Sequence, residues 1–121
     1  MKVLVIGLDG AVPDLLFGDE QLTNFCRLME VGCFGKLRSI VPPITVPAWM
    51  SLATSQDPGA LGTYGFRNRL DHSYNWLGIV NSKSIRELAI WDQFAREGKR
   101  AVVVGVPPNF PPRKVNGASV G

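Results

Sequence analysis

Thr45 is the residue whose type and neighbours are best suited to chemistry. It lies in the segment 42–51, which reads PPITVPAWMS. The two prolines keep the approach extended, and Pro47 suits the first turn of a helix because its missing N–H would have no partner there. A hydroxyl at a helix N-terminus lies where negative charge is stabilised. Thr45 is therefore a nucleophile or an N-cap, and spacing alone favours the cap because caps are far more numerous.

A carboxylate follows the first predicted strand. Residues 3–6 (VLVI) form a short aliphatic run, which is typical of a strand buried on both faces of a parallel sheet. Asp9 comes just after it, where open α/β sheets bind their ligands. The glycines around it, Gly7 and Gly10, lack the GxGxxG spacing of a dinucleotide site. Asp9 is thus a metal ligand or a turn-forming residue, and the sequence leaves both interpretations open.

The elements that must position these two residues alternate between strands and helices. Strands are predicted at 3–6, 34–40, 76–80 and 101–106, and helices at 13–17, 22–31, 47–54 and 84–97. This order predicts an α/β sandwich with a mostly parallel sheet. Asp9, Thr45 and the proline-rich loop at 107–112 are all expected at its carboxyl edge.

Composition and charge indicate a globular chain and argue against several classes of protein. The 121 residues are 45% hydrophobic and 19% charged, which suits one domain or part of one. The net charge of +3 is spread thinly, which suits a small anionic substrate but is more often just a solvated surface, and nucleic-acid binding is not indicated. No apolar stretch reaches membrane-spanning length, and Asp9 comes too early for a signal peptide. Cys26 and Cys33 lack CxxC spacing and are expected to be buried free thiols, so the prediction is a cytoplasmic protein without a membrane partner.

Two motifs gain weight when they are taken together. The first is VIGLDG at 5–10, and the second is PITVPAW at 43–49 followed by ATSQDPG at 53–59. Together they resemble the alkaline phosphatase superfamily, in its type I phosphodiesterase/nucleotide pyrophosphatase branch. The likeness continues through WD at 91–92 and VPP at 106–108. It implies an alkaline-phosphatase-like, three-layer α/β sandwich that hydrolyses a small phosphate ester with the help of metal ions.

The resemblance also implies roles for single residues. Asp9 matches the strand-end aspartate that binds a metal ion. Thr45 matches the hydroxyl that binds the same metal and attacks phosphorus, so the resemblance favours the nucleophile over the cap. It implies two divalent metal ions, with zinc expected, which would clamp the attacking and leaving oxygens. The phosphate-binding asparagine of nucleotide pyrophosphatases aligns near Phe66, so Arg67 or Asn68 would have to bind the substrate in its place.

The number of metal ligands sets a limit on this interpretation. A two-metal site of this family needs several histidines, yet the sequence has one, His72. In the family these ligands lie downstream of the positions matched here. The resemblance therefore predicts that residues 1–121 are the N-terminal part of a single α/β catalytic domain, incomplete at the C-terminus and inactive alone. The alternative is a non-catalytic α/β binding or scaffold domain that uses the strand-end crevice without metal.

Overall fold

The computed structural model describes residues 2–121, which divide into two units. The first unit ends at Arg38, and the second runs from Ser39 to Gly121. The first contains α1 (Pro13–Phe17) and α2 (Thr23–Val31). The second contains α3 (Thr45–Thr54), α4 (Pro58–Leu61), β1 (Arg67–Arg69), β2 (Leu77–Ile79), α5 (Ile90–Arg96), β3 (Ala101–Val104) and β4 (Gly117–Val120).

In the first unit, both predicted helices are present and both predicted strands are not. α1 starts with Pro13 and ends before Gly18, while α2 ends at the C-cap Gly32. Residues 3–6 and 34–40, the last two of which belong to the second unit, form no strand in the part of the chain that the structure describes. The aliphatic side chains at 3–6 are between 66% and 82% exposed. The strand predictions fail because a strand needs a hydrogen-bonded neighbour and covered faces, which an aliphatic run cannot supply by itself.

Helix α3 carries the core of the second unit. Its residues Val46, Pro47, Met50 and Ala53 are buried. Met50 and Ala53 belong to a cluster of buried apolar side chains that also contains Leu61, Ile85 and Ala89. At the far end of α3 the hydroxyl of Thr54 donates to the Met50 carbonyl oxygen at 2.7 Å. The chain thus fixes α3 mainly by burying one of its faces.

A single helical turn, α4, occupies a segment whose composition predicted only a loop. Asp57 is its N-cap, and the Asp57 Oδ1 accepts a hydrogen bond of 2.8 Å from the Ala60 N–H. Gly62 ends the turn in the left-handed conformation with φ of 62°. Beyond it, β1 and β2 form an antiparallel hairpin in which Arg67 pairs with Ile79 and Arg69 with Leu77. β2 lies within the predicted strand at 76–80, whereas the sequence around β1 shows no clear period.

Helix α5 starts at Ile90, later than the predicted start at Ser84. The Ser84 hydroxyl accepts the Asn81 N–H at 3.1 Å and so takes part in a short 3-10 helix instead. Asp92 supplies the capping interaction of α5, since its Oδ2 accepts the Ala89 N–H at 3.0 Å. The sequence contains two acceptable helix starts, and the second one is used.

The strands β3 and β4 form a parallel pair. Ala101 is opposite Gly117, and Val104 is opposite Val120. Of the four β3 residues only Val103 is buried. The described residues therefore form a small α/β structure with two short two-stranded sheets, and the predicted three-layer sandwich with a mostly parallel sheet is not confirmed. None of the helices in residues 2–121 has the length and apolar character that crossing a membrane requires.

Candidate functional site

Thr45 is the first residue of α3, so the predicted position at a helix N-terminus is confirmed. The N-cap position belongs to Ile44, whose backbone is extended with φ of −113° and ψ of 143°. Ile44 has no side-chain acceptor and makes no capping hydrogen bond. The first helical hydrogen bond runs from the Ala48 N–H to the Ile44 carbonyl oxygen at 3.0 Å. Thr45 is half-buried at this end of the helix, and the N-cap position itself is held by another residue.

The sequence on both sides of Thr45 explains why it is held there. Before it, the Ile44 N–H donates to the Pro42 carbonyl oxygen at 2.9 Å, which closes a tight turn. After it, Val46 is only 3% exposed and Pro47 is fully buried. Burying one valine side chain contributes about 1.5–3 kcal/mol, so these two residues anchor the start of α3. The hydroxyl of Thr45 is therefore presented by a fixed backbone.

Asp9 lies in a turn that follows the aliphatic residues 3–6, and its side chain is exposed. The next residue, Gly10, has φ of +70°, a conformation that glycine adopts without steric cost. This turn is compatible with a metal ligand and with a turn-forming aspartate. Asp9 belongs to the first unit and Thr45 to the second, and the prediction that they share a cation stays a prediction.

Asn68, one of the two predicted substrate-binding residues, holds a loop together. Its Oδ1 accepts the Tyr64 N–H at 3.1 Å, and its Nδ2 donates to the Gly62 carbonyl oxygen at 2.7 Å. Each of these bonds uses one of the capacities of the amide, which has two donor hydrogens and two acceptor lone pairs. Arg67, the other predicted residue, is exposed on β1. The structure thus gives Asn68 a positioning role that its sequence neighbours did not reveal.

A pocket of about 300 Å³ lies beside the β1–β2 hairpin, and we call it the hairpin pocket. It is lined by Gly62, Tyr64, Asn68, Arg69, Asp71 and His72. The sequence singled out Asn68 and the single histidine, His72. It predicted no role for Arg69, Asp71 or Tyr64. Their common signal was a dense mixture of charged and aromatic residues without a period, which by itself does not show that they converge.

The charged groups of the hairpin pocket are held by neighbours. The guanidinium carbon of Arg69 lies 4.0 Å from the ring centroid of Tyr74, a cation–π contact. The Asp71 Oδ1 accepts the Ser73 N–H at 2.8 Å. Hydrogen bonds from the Ser73 side chain and then from its backbone N–H lower the pKa of the Asp71 carboxyl below its usual value. Asp71 is therefore a carboxylate at neutral pH.

A second, apolar cleft of about 370 Å³ lies where β3 and β4 end. Residues 105–110 line one side of it, so the proline-rich loop begins at the carboxyl end of a parallel strand, as predicted. Several hydrogen bonds hold the loop, including one from the Ser82 hydroxyl to the Pro111 carbonyl oxygen at 2.5 Å. The Ser82 N–H donates to the Phe110 carbonyl oxygen at 3.1 Å, and the Asn109 Nδ2 donates to the Ser119 Oγ at 2.8 Å.

Residues 2–121 bring together no group of three or more His, Cys, Asp or Glu side chains that could hold a metal ion. The carboxylate of Asp9 and the hydroxyl of Thr45 are oxygen donors that suit a divalent cation, but two ligands do not complete a four-coordinate site.

Both cysteines are free, with Cys26 half-buried and Cys33 exposed, so the expectation of two buried thiols is wrong for Cys33.

Comparison with known families gives a direct result. The model of the family described as type I phosphodiesterase / nucleotide pyrophosphatase matches residues 3–119. That match includes the Asp9 turn, α3, the hairpin pocket and every lining residue of the apolar cleft except Gly121. The chain belongs to this family, a branch of the alkaline phosphatase superfamily whose members are phosphodiesterase- and pyrophosphatase-type hydrolases. No curated protein and no solved structure matches the chain.

Proposed function

We propose that this chain carries the nucleophile of a metal-dependent phosphoric ester hydrolase of the phosphodiesterase/nucleotide pyrophosphatase type. The observation that supports it most is the position of Thr45 as the first residue of α3, within the family match at 3–119. Thr45 does not occupy the N-cap position of α3, because that position belongs to Ile44. The alternative is a non-catalytic binding or scaffold domain that uses the same strand-end crevice without chemistry.

In the proposed reaction the Thr45 Oγ forms a bond to phosphorus as the bond from phosphorus to the leaving oxygen breaks. The hydroxyl loses its proton and the leaving oxygen gains one. Water then cleaves the phosphothreonine and restores the hydroxyl. The positive end of the α3 dipole lowers the energy of negative charge on the Oγ and on the attached phosphoryl group. Held rigidly by Val46 and Pro47, the hydroxyl needs little reorganisation to attack.

Metal ions are part of the proposal. Asp9 and Thr45 would hold one divalent cation, and further histidine and aspartate ligands are proposed to follow residue 121, because residues 2–121 form no metal-binding group of three or more. Two divalent ions, with zinc expected, would make the hydroxyl more acidic and stabilise charge on the transferring phosphoryl group. Arg67 is proposed to contact the substrate, and Asn68 to position the loop beside it.

The finer architecture and the location belong to the same proposal. A three-layer sandwich with a mostly parallel sheet would give the β3–β4 pair further neighbours and would cover the exposed side chains of Val102 and Val104. It would also cover residues 3–6. Two free cysteines suit a reducing compartment, which supports a cytoplasmic protein acting on a small phosphate ester.

Replacing Thr45 in the full-length protein tests the nucleophile. Thr45→Ala removes the attacking oxygen and should lower hydrolysis of bis-p-nitrophenyl phosphate by several orders of magnitude. Its effect on stability should not exceed about 1 kcal/mol, the usual loss of a capping group. Thr45→Ser keeps a hydroxyl and should retain measurable turnover, and a chelator should abolish the activity of both the parent and the Ser variant. Large destabilisation of Thr45→Ala, with activity that follows only the folded fraction, would support the cap instead.

A further inference from the structure

The hairpin pocket is held in shape before any ligand arrives. The Asn68 side chain bonds to two other lining residues, Gly62 and Tyr64, at 2.7 and 3.1 Å. Arg69 is stacked on the Tyr74 ring, and Asp71 is fastened to Ser73. Groups that are already oriented lose less conformational entropy when they bind a ligand. Binding in this pocket would therefore need little reorganisation of Asn68, Arg69 and Asp71.

The hydrogen-bonding capacities of three lining residues, Arg69, Asp71 and Tyr64, constrain what the hairpin pocket can bind. The Arg69 guanidinium can only donate, and the Asp71 carboxylate can only accept, while the Tyr64 hydroxyl can do both. A phosphate would pair with Arg69 but would be repelled by Asp71. An ammonium group would meet the reverse problem. A hydroxyl group donates and accepts, so adjacent hydroxyls can satisfy both charged residues together.

The size and position of the hairpin pocket add two constraints. A volume of about 300 Å³ is at the lower end for ligand pockets, which suits one ring rather than a whole nucleotide. The loop that lines the pocket also approaches the start of α3. A Cβ placed on Gly65 would lie 4.0 Å from the Cδ1 of Ile44, the residue before Thr45. Gly65, which lies between lining residues in the sequence but does not itself line the pocket, is therefore a neighbour of the residue that precedes the proposed nucleophile.

We propose that the hairpin pocket binds a polyhydroxylated group of the substrate, a single sugar ring or a comparable polyol. This inference rests on the proposed function and names the substrate class of that site. Arg69 and Asp71 bind adjacent hydroxyls, the Tyr64 ring offers apolar surface to the C–H groups of the sugar, and Asn68 is a positioning residue. The substrate is then a phosphate ester of a sugar or polyol.

Binding is measured first, in full-length protein carrying Thr45→Ala, so that the result does not depend on catalysis. The probes are methyl α-D-glucopyranoside, myo-inositol, inorganic phosphate and ethylammonium, and the readout is NMR chemical shifts of residues 62–72. The two polyols should give saturable shifts there. Asp71→Asn and Arg69→Gln should each weaken polyol binding about tenfold or more, because each removes a hydrogen bond to a charged group. Arg86→Gln, at an exposed arginine that does not line the pocket, should leave it unchanged.

Tighter binding of phosphate or ethylammonium than of the polyols would overturn the proposal, as would unmoved resonances. Asp71→Asn keeps the shape of the side chain, so it still tests the proposal if the Arg69→Gln variant does not fold. Turnover is compared next, with Thr45 intact, between the p-nitrophenyl phosphodiesters of inositol and of ethanol. Asp71→Asn should lower kcat/KM for the inositol ester about tenfold and leave the ethyl ester unchanged. Equal effects on the two esters would show that the hairpin pocket does not bind the polyol group of the substrate. Hydrolysis that survives Thr45→Ala would instead contradict the proposal that Thr45 is the nucleophile.

Discussion

Thr45 and Asn68 show how much the role of a side chain depends on its backbone position. Thr45 is at the first position of α3 because a tight turn precedes it and two buried residues follow it. Asn68 is one residue from Arg69, yet its amide is directed to the Gly62 carbonyl and the Tyr64 N–H. Both Asn68 and Arg69 line the hairpin pocket, but the hydrogen bonds of the Asn68 side chain to its own loop make it a positioning residue.

Asn68→Ala should destabilise the protein measurably. It removes two hydrogen bonds of about 0.5–1.5 kcal/mol each, and partial exposure to water keeps the loss in the free energy of unfolding to about 1–2 kcal/mol. Asn75→Ala is the control, because Asn75 is exposed in the same hairpin and its backbone N–H, which alanine keeps, donates to the Ser73 hydroxyl. Urea denaturation of the two variants gives the comparison. Equal losses would show that the Asn68 side chain does not hold the loop.

The helices begin and end where specific backbone groups find partners. α5 starts at the capping contact of Asp92 rather than at the earlier serine. It ends in a Schellman motif, in which the Lys99 N–H bonds to the Phe94 carbonyl oxygen at 2.8 Å and the Gly98 N–H to the Ala95 carbonyl oxygen at 3.1 Å. Gly98, which the sequence predicted to follow this helix, has φ of +69°. This turn directs the chain into β3.

Gly98→Ala should therefore cost stability although nothing blocks its side chain. A Cβ at Gly98 would meet no atom within 4 Å, so the cost comes from the left-handed backbone and should be about 1 kcal/mol. Gly35→Ala is the matched control, because its Cβ would also meet nothing and its φ lies outside the positive range. Thermal unfolding of both variants measures the difference. A Gly98→Ala protein as stable as the control would mean that the helix end relaxes to another conformation.

For the molecule as a whole, the described residues leave much apolar surface uncovered. Residues 3–6 are exposed, and so are Val102, Val104 and Val120 of the parallel pair. Exposed apolar surface of this extent is typical of surfaces that other structure covers. It agrees with the proposal that a larger α/β sandwich covers the β3–β4 pair and residues 3–6.

Residues 1–121 alone should show negligible phosphodiesterase activity and only weak affinity for divalent ions. Two oxygen ligands cannot complete a four-coordinate zinc site, and residues 2–121 bring no group of three or more ligands together. Calorimetric titration with zinc and an assay with bis-p-nitrophenyl phosphate measure the two quantities, with the full-length protein as control. Robust turnover by the 121-residue chain would show that the site is complete within it.

The sequence alone was sufficient for features whose causes are local. The helices α1, α2 and α3, the position of Thr45 and the core of β3 could all be predicted, because helical hydrogen bonds join residues four apart and prolines act on their neighbours. The family could be recognised because two short motifs, at 5–10 and 43–49, resemble those of its members. Asp9 could be placed in a turn after the aliphatic run, though the groups around its carboxylate could not be predicted.

Tertiary structure decided everything that depends on distant partners. The run at 3–6 has strand composition but no strand, since pairing needs a second segment that the run cannot specify. β1 formed without a pattern because β2 pairs with it. α5 starts late because the Ser84 hydroxyl accepts the Asn81 N–H within the 3-10 helix, whereas Asp92 accepts the Ala89 N–H and caps α5. The hairpin pocket belongs to the same class. Its lining residues come together only when the loop folds onto Asn68, so their spacing in the sequence does not predict the pocket.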